Sequence, residues 1–538
     1  MAFLRKLFYG RTIGTPQTQA QPEREQVRNS AGGYVYALGD WDRVDRFLIL
    51  GSEGGTYYAA ERELTLSAAH HLAQMVREHG VALVERVVTL SESGRAPKAS
   101  PAIFALAMAA GFGDDATRRA ALAEGLQRVC RTGSQLLEFA SYVEQFRGWG
   151  RGLRRAVVGW YERKPVGELA YQVAKYQSRS GFSHRDLLRL SHPVAHEAAR
   201  AALYAWMARG TAPEAIAGLE LIAALERAKE LRDASPSQAA EFVRESRLPR
   251  EALPTEWLRH SAVWEALLGE MPMTACIRNL ATMTRLGLLT DGAAATSQVV
   301  ERLRDAAWLR KARVHPIAVL AALETYRRGR GARGKSNWNP VRAIVEALDD
   351  AFYLAFQTLE PSGARMLVGL DVSASMSAGE VAGVAGLTPR VAAAAMAMTQ
   401  LRSEREVRIM AFSDRFVELP FGREDRLERA VAFTNGLPFE RTDCALPMLY
   451  ALEQRLNVDT FVVYTDNETW AGSIHPDEAL RRYRERTGIP AKLVVVGMTS
   501  SGFTIADPND AGMLDVVGFD AAAPNVIAAF ARPIVQTG

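Results

Sequence analysis

Two patterns divide the chain. From about residue 25 to 355, apolar positions recur three and four apart, the spacing of one helix face. Ser134–Phe146, Ala195–Met207, Pro236–Glu245, Met273–Leu286, Pro316–Arg327 and Val341–Thr358 carry it clearly, and Leu64–Glu78 and Pro101–Ala110 read the same way. The alternation of a half-buried strand is nearly missing there, apart from Gly33–Tyr36 and Phe47–Tyr58. Many short helices with short links predict an α-solenoid of stacked, HEAT-like helix pairs.

After Pro361 apolar, β-prone runs alternate with helical stretches. The runs are Met366–Leu370, Val407–Phe412, Thr460–Thr465, Lys492–Met498 and Met513–Gly518. Helical spacing fills Pro389–Arg402, Asp443–Leu456 and Pro476–Arg486. Strand–helix alternation predicts a mostly parallel sheet covered on both faces. Ligands of such sheets bind beyond the carboxyl ends of the strands.

Composition sets outer limits. With 538 residues the chain is too long for one core. We read 1–24 as a flexible tail, 25–360 as the helical domain and 361–538 as an α/β domain. No apolar run approaches the roughly 18 to 20 residues of a membrane helix, and Met1–Tyr9 lacks a signal-peptide core. The expected setting is the cytoplasm. Cys130, Cys276 and Cys444 are isolated and form no CxxC, and HExxH does not occur; a disulfide framework, a zinc site and a metalloprotease are all disfavoured. The overall charge of +4 conceals an asymmetry: residues 362–538 carry −5 and the remainder +9. A basic front and an acidic back suit different partners.

The densest chemistry follows Met366–Leu370. Asp371, Ser373 and Ser375 place three oxygen-bearing side chains at i, i+2 and i+4 where a buried strand breaks into a loop. Thr442 precedes a predicted helix, and Asp466 ends the run Phe461–Thr465. A parallel sheet can bring the three places to one edge. Two carboxylates and three hydroxyls are an all-oxygen set, which suits Mg²⁺, with Mn²⁺ or Ca²⁺ as alternatives, rather than zinc. The blander reading is a turn capped by an Asp and a Ser. The five residues resemble the metal-ion-dependent adhesion site of von Willebrand factor A domains, complete at every position; that resemblance implies metal-assisted protein binding.

In the helical part, Arg147-Gly-Trp149-Gly-Arg151-Gly-Leu-Arg154-Arg155 mixes guanidinium groups, an aromatic ring and glycines. Lys175 and Arg179 stand i, i+4 and, on one helix, would share a face. Further on come Arg327, Arg328, Arg330, Arg333 and Lys335. Cations beside aromatics suit RNA, where phosphates meet charge and unpaired bases stack. Solvated helix faces also carry such runs.

Residues 26–58, with Gly33-Tyr-Val-Tyr36 and Gly51-Ser-Glu-Gly-Gly-Thr-Tyr-Tyr58, resemble the start of a TROVE domain. So does the block from Lys175 through Gly181-Phe-Ser-His184 to Leu190-Ser-His192. With the α/β module behind them, these motifs resemble the Ro autoantigen family, its bacterial members above all. The resemblance implies a ring of helical repeats, a toroid of a single chain, closed by the von Willebrand domain. It implies Y RNA on the outer basic surface, single-stranded ends of misfolded or precursor RNA in the central hole, and an exoribonuclease partner such as polynucleotide phosphorylase. Carried over by motif, Lys175, Arg179 and His192 match positions that contact Y RNA, and Arg278, in Met273-Thr-Ala-Cys-Ile-Arg278, falls where the hole is lined.

One motif points elsewhere. Gly329–Ser336 fits the phosphate-loop pattern GxxxxGK[ST], which would make an ATPase. A phosphate loop must follow a strand and open a helix, whereas Ile317–Tyr326 reads as helical. The expectation is therefore a non-catalytic RNA-binding scaffold. Its alternatives are a metal-dependent adhesion adaptor without RNA and a nucleotide hydrolase.

Overall fold

The computed structural model describes residues 15–51, 61–96, 98–211, 216–331, 336–356, 361–381, 387–437, 441–519 and 523–532. Residues 52–58 of the TROVE-like block, Arg333 and Lys335 lie outside them. The chain forms two units, one of residues 69–357 and the other of residues 1–68 with 358–538.

The first unit is helical. The helices Gly133–Phe146, Pro236–Ser246, Met273–Arg285, Pro316–Arg327 and Arg342–Ala355 fall where the apolar spacing predicted them. Neighbours pack in pairs, such as Ser100–Phe112 on Gly133–Phe146 and Pro316–Arg327 on Arg342–Ala355. The helix begun at residue 61 continues past Glu78 to Ser93, with non-helical backbone only at His79. No described helix is long and apolar enough to cross a membrane.

The second unit is built on a six-stranded sheet. Its order is Met513–Val517, Lys492–Gly497, Thr460–Thr465, Met366–Asp371, Val407–Phe412 and Phe416–Glu418, parallel except for the last. Met366–Asp371 and Thr460–Thr465 are buried along their whole length, as expected of strands covered on both faces. The chain leaves Met366–Asp371 toward one edge of the sheet, and from Thr460–Thr465 it works toward the other. The order thus reverses between these two neighbouring strands, which is where such sheets open a crevice.

The amino-terminal residues correct two expectations. From Thr15 on, the supposed tail is docked on the α/β unit. Gln17 is fully buried; its amide donates to Asp443 Oδ1 and to the Ile474 carbonyl, each at 2.8 Å, and accepts from Thr469 at 2.6 Å. The strand expected at Gly33–Tyr36 forms at Tyr34–Ala37 and pairs with Phe503–Thr504 far along the chain. Phe47–Tyr58, expected as strand-like, begins inside the helix Asp40–Leu50. That helix places Asp40 and Asp42 in its first turn, where they suit the helix dipole, and it buries Arg46 against Asp515.

Candidate functional site

The helix Val166–Lys175 ends on Lys175, a cation at the helix terminus that favours one. Arg179 does not continue it. It lies on the two-residue strand Ser178–Arg179, paired with Phe182–Ser183. Ser180 and Gly181 turn the corner at φ +52° and +82°, a backbone that glycine adopts without penalty. The shared helix face expected of Lys175 and Arg179 is therefore absent. A cleft of about 530 Å³ unites them instead, and Arg278 lines it too. Ser134, Glu138 and Glu251 complete its walls from distant helices; nothing in the local sequence announces them.

Lys175 is held in place. Its ammonium donates to the Tyr171 hydroxyl at 3.1 Å and stands over the rings of Tyr171 and Tyr176 at 5.3 and 5.5 Å. Burial works against its charge, yet the Tyr171 hydrogen bond and the neighbouring Tyr176 and Glu251 outweigh burial and raise its pKa. Arg179 and Arg278 are exposed.

His192 is not among the cleft's lining residues. It ends the helix His184–Ser191 in a left-handed conformation, φ +53° and ψ +56°, and is exposed. The preceding His184 is a core residue. Tyr161 hydroxyl and His184 Nδ1 lie 2.7 Å apart, and burial pushes the imidazole down to about 4.

The glycine- and arginine-rich segment forms one wall of a second cleft, about 710 Å³ in volume. Arg147, Arg151 and Arg155 meet Arg118, Arg119 and Arg163 there. Arg151, Arg154 and Arg155 open the helix Arg151–Glu162, which has no acidic residue in its first turn and no side-chain cap at Gly150. Cations there oppose the helix dipole, so helix stability does not account for them. Trp149 reaches from this segment to Phe182 of the hairpin, ring centroids 6.3 Å apart.

In the α/β unit, Asp371 ends one central strand and Asp466 follows its neighbour. Thr465 joins them, donating to Asp371 Oδ2 at 2.7 Å. Ser373 N–H donates to Asp371 Oδ1 at 2.9 Å, and the Ser373 and Ser375 hydroxyls are 2.9 Å apart. Thr442 belongs to a loop fastened beside Asp466, for its carbonyl accepts from Trp470 and Ala471 N–H, both at 3.0 Å. All five residues are buried. Asp466 is pushed well above the carboxylate range by burial, by the Asp371 charge and by Glu468. Burial raises Asp371 as well. Two neighbouring buried carboxyls, both raised by burial and one also by the charge of the other, with hydroxyls beside them, are the chemistry a hard divalent cation relieves. Among the described residues no cluster of three or more His, Cys, Asp or Glu is arranged for a metal; a cation here would have to draw on the hydroxyls as well.

The phosphate-loop pattern lacks its context. A helix, Pro316–Arg327, precedes it, and Arg330 bridges antiparallel to Asn337. The element before the motif is thus a helix and not the strand that a phosphate loop requires, and residues 332–335 of the motif lie outside the described residues.

Residues 27–217 and 244–325 match the TROVE domain, and residues 365–531 match the Ro60 vWA domain. The chain is 44% identical over 522 residues to the RNA-binding protein RO60 of Deinococcus radiodurans, covering 97% of this chain and 98% of that one. It is 35% identical over 591 residues to the RNA-binding protein RO60 of Caenorhabditis elegans, covering 96% and 91%. The crystal structure of the Deinococcus radiodurans RO (RSR) protein superimposes with a TM-score of 0.72 at 43% identity, covering 92% of this chain and 99% of that one.

Proposed function

The chain belongs to the Ro60 family of TROVE-domain proteins, and from that premise we propose that it is an RNA-binding scaffold with no catalysis of its own. The observation that carries the reading is the convergence of Lys175, Arg179 and Arg278 on one cleft. The residues come from three separate elements, and the cleft joins fixed charge to aromatic rings. In this reading the basic surface around Lys175, Arg179 and His192 holds a small structured noncoding RNA of the Y RNA type. Single-stranded ends of misfolded or precursor RNA lie beside Arg278, where the sequence pattern expects the hole. An exoribonuclease such as polynucleotide phosphorylase is the expected protein partner, and the chain brings RNA to it. Binding of a small structured RNA, followed across salt concentrations, tests this. Affinity should fall linearly in log–log form as ionic strength rises. No binding at low ionic strength would end the proposal.

For the α/β unit we propose one divalent cation, most simply Mg²⁺, with Mn²⁺ or Ca²⁺ able to replace it. Asp371, Ser373, Ser375, Thr442 and Asp466 would hold it. Bound there, the cation supplies an open position for a carboxylate from a protein partner. What supports this is the meeting of both carboxylates where the strand order reverses. Calorimetric titration of Mg²⁺ should show one site, lost in Asp371→Ala; retained stoichiometric binding in that variant would dismiss the site.

A further inference from the structure

A smaller cavity, about 220 Å³, adjoins the Lys175 cleft. The two share Lys175 and Glu251 as lining residues, so they are neighbouring rooms with a common wall. Their chemistry differs. The cleft is lined almost wholly by polar and charged side chains, whereas the cavity sets apolar surface from Pro249, Leu267 and Met271 and the Tyr171 ring beside the charged Arg244, Arg247 and Glu270. Leu267 and Met271 are almost wholly buried, so core packing fixes the walls.

Arg250 and Asn279 line it as well, among other polar side chains. Arg250 Nε is buried and has no hydrogen-bond partner among the described residues. Such a donor is a standing cost that an acceptor on a ligand removes. The Asn279 amide donates to the Ala275 carbonyl at 2.8 Å, leaving its oxygen as an acceptor. A small cavity that joins apolar and aromatic walls to donors and acceptors suits a planar heterocycle. The volume lies below the roughly 300 to 1,000 Å³ of drug-sized sites, which limits the occupant to a single small ring system. The joined cationic cleft specifies what that ring is attached to.

We propose that this cavity receives one unstacked nucleobase of a single-stranded RNA, while the adjoining phosphate lies across Lys175 and Arg278. The inference rests on the RNA-binding reading and adds to it a base-contact site, which selects unpaired RNA. A paired base would first have to leave its stack, whereas a base in a free end does not.

The test compares three strands of equal length on the full chain by fluorescence anisotropy at low salt: oligo(A), oligo(U) and a wholly abasic ribose–phosphate strand. At least one base-bearing strand should bind about five- to a hundredfold more tightly than the abasic one, the range of one base contact. Ala275→Phe, which fills the cavity, should bring that strand down to the abasic level. Asn279→Leu, which removes the acceptor and keeps the size, should narrow the difference even if the first variant fails to fold. Equal binding of abasic and base-bearing strands overturns this inference and leaves the RNA-binding reading standing. So does a difference that survives in folded variants. If no strand binds at all, the RNA-binding reading falls and takes this one with it.

Discussion

The Lys175 ammonium is pinned to Tyr171, donating to its hydroxyl at 3.1 Å while standing 5.3 Å above its ring. A lysine so held meets a phosphate with little side-chain entropy left to lose.

Lys175→Glu combined with Arg179→Glu should therefore weaken binding of structured RNA across sequences and flatten its salt dependence. Each lost phosphate contact lowers the slope by about one. Parallel titrations at several salt concentrations measure this, and unchanged affinity at matched salt would remove that face from the site. Tyr171→Phe should give a smaller loss in the same direction.

The arginine cleft permits a test in which stability and binding move oppositely. Replacing Arg151 and Arg155 with Glu puts acids where the helix Arg151–Glu162 has only cations. The exchange at Arg151, in the first turn, should stabilise the helix by about 0.3 to 1 kcal/mol. RNA affinity should drop in the same protein. A thermal melt beside a binding isotherm reads both, and cations placed there for packing alone would leave the isotherm unmoved.

The metal site predicts a pH dependence. Burial raises both Asp371 and Asp466, and the charges of Asp371 and Glu468 raise Asp466 further, so the site holds on to protons that a cation must displace. Mg²⁺ affinity should fall as pH falls through the raised range, with protons released on binding. Calorimetry in two buffers of different ionisation enthalpy counts them.

His184 predicts acid sensitivity in the helical unit. Its imidazole is pushed from 6.5 to about 4 by burial, so the unfolded chain binds the proton first. The stability that the neutral ring provides is complete above pH 6.5 and is lost as pH falls toward 4. The loss should reach about 2 kcal/mol at pH 5. Denaturant unfolding at pH 7 and pH 5 should show a smaller decrement in His184→Gln than in the natural chain.

Arg46 predicts the cost of undocking the amino-terminal helix. Its guanidinium grips both Asp515 oxygens at 2.6 and 2.7 Å, and only 1% of the side chain is exposed. Arg46→Ala leaves a mostly buried carboxylate without its partner and should destabilise the α/β unit by about 3 to 5 kcal/mol. The urea midpoint of that unit's unfolding checks this.

What the sequence disclosed, and what it withheld, follows from the range of the interactions. Met366–Asp371 and Thr460–Thr465 were legible because strands buried on both faces are unbroken apolar runs. Asp371 and Asp466 were legible because each sits at the end of such a run. Phe47-Leu-Ile-Leu50 misleads because a short apolar run looks alike in a strand and in a buried helix; Asp40 and Asp42 were the better signal. Lys175 and Arg179 mislead because spacing alone says nothing of the turn at Ser180-Gly181. The meeting of Arg278 with Lys175 was beyond reach, since tertiary packing alone sets it. For the same reason, the docking of Gln17 on Asp443 leaves no mark in either local sequence.

The pairing of Tyr34–Ala37 with Phe503–Thr504 bears on how the protein is made. The opening segment leaves the ribosome more than 400 residues before the strand it joins, so it must wait, unpartnered, while the helical unit folds between the two halves of its own unit. The α/β unit can be finished only after almost the whole chain has been synthesised. Ribosomes that stall or abort late should therefore release chains whose helices are formed and whose residues 15–51 remain open to proteases.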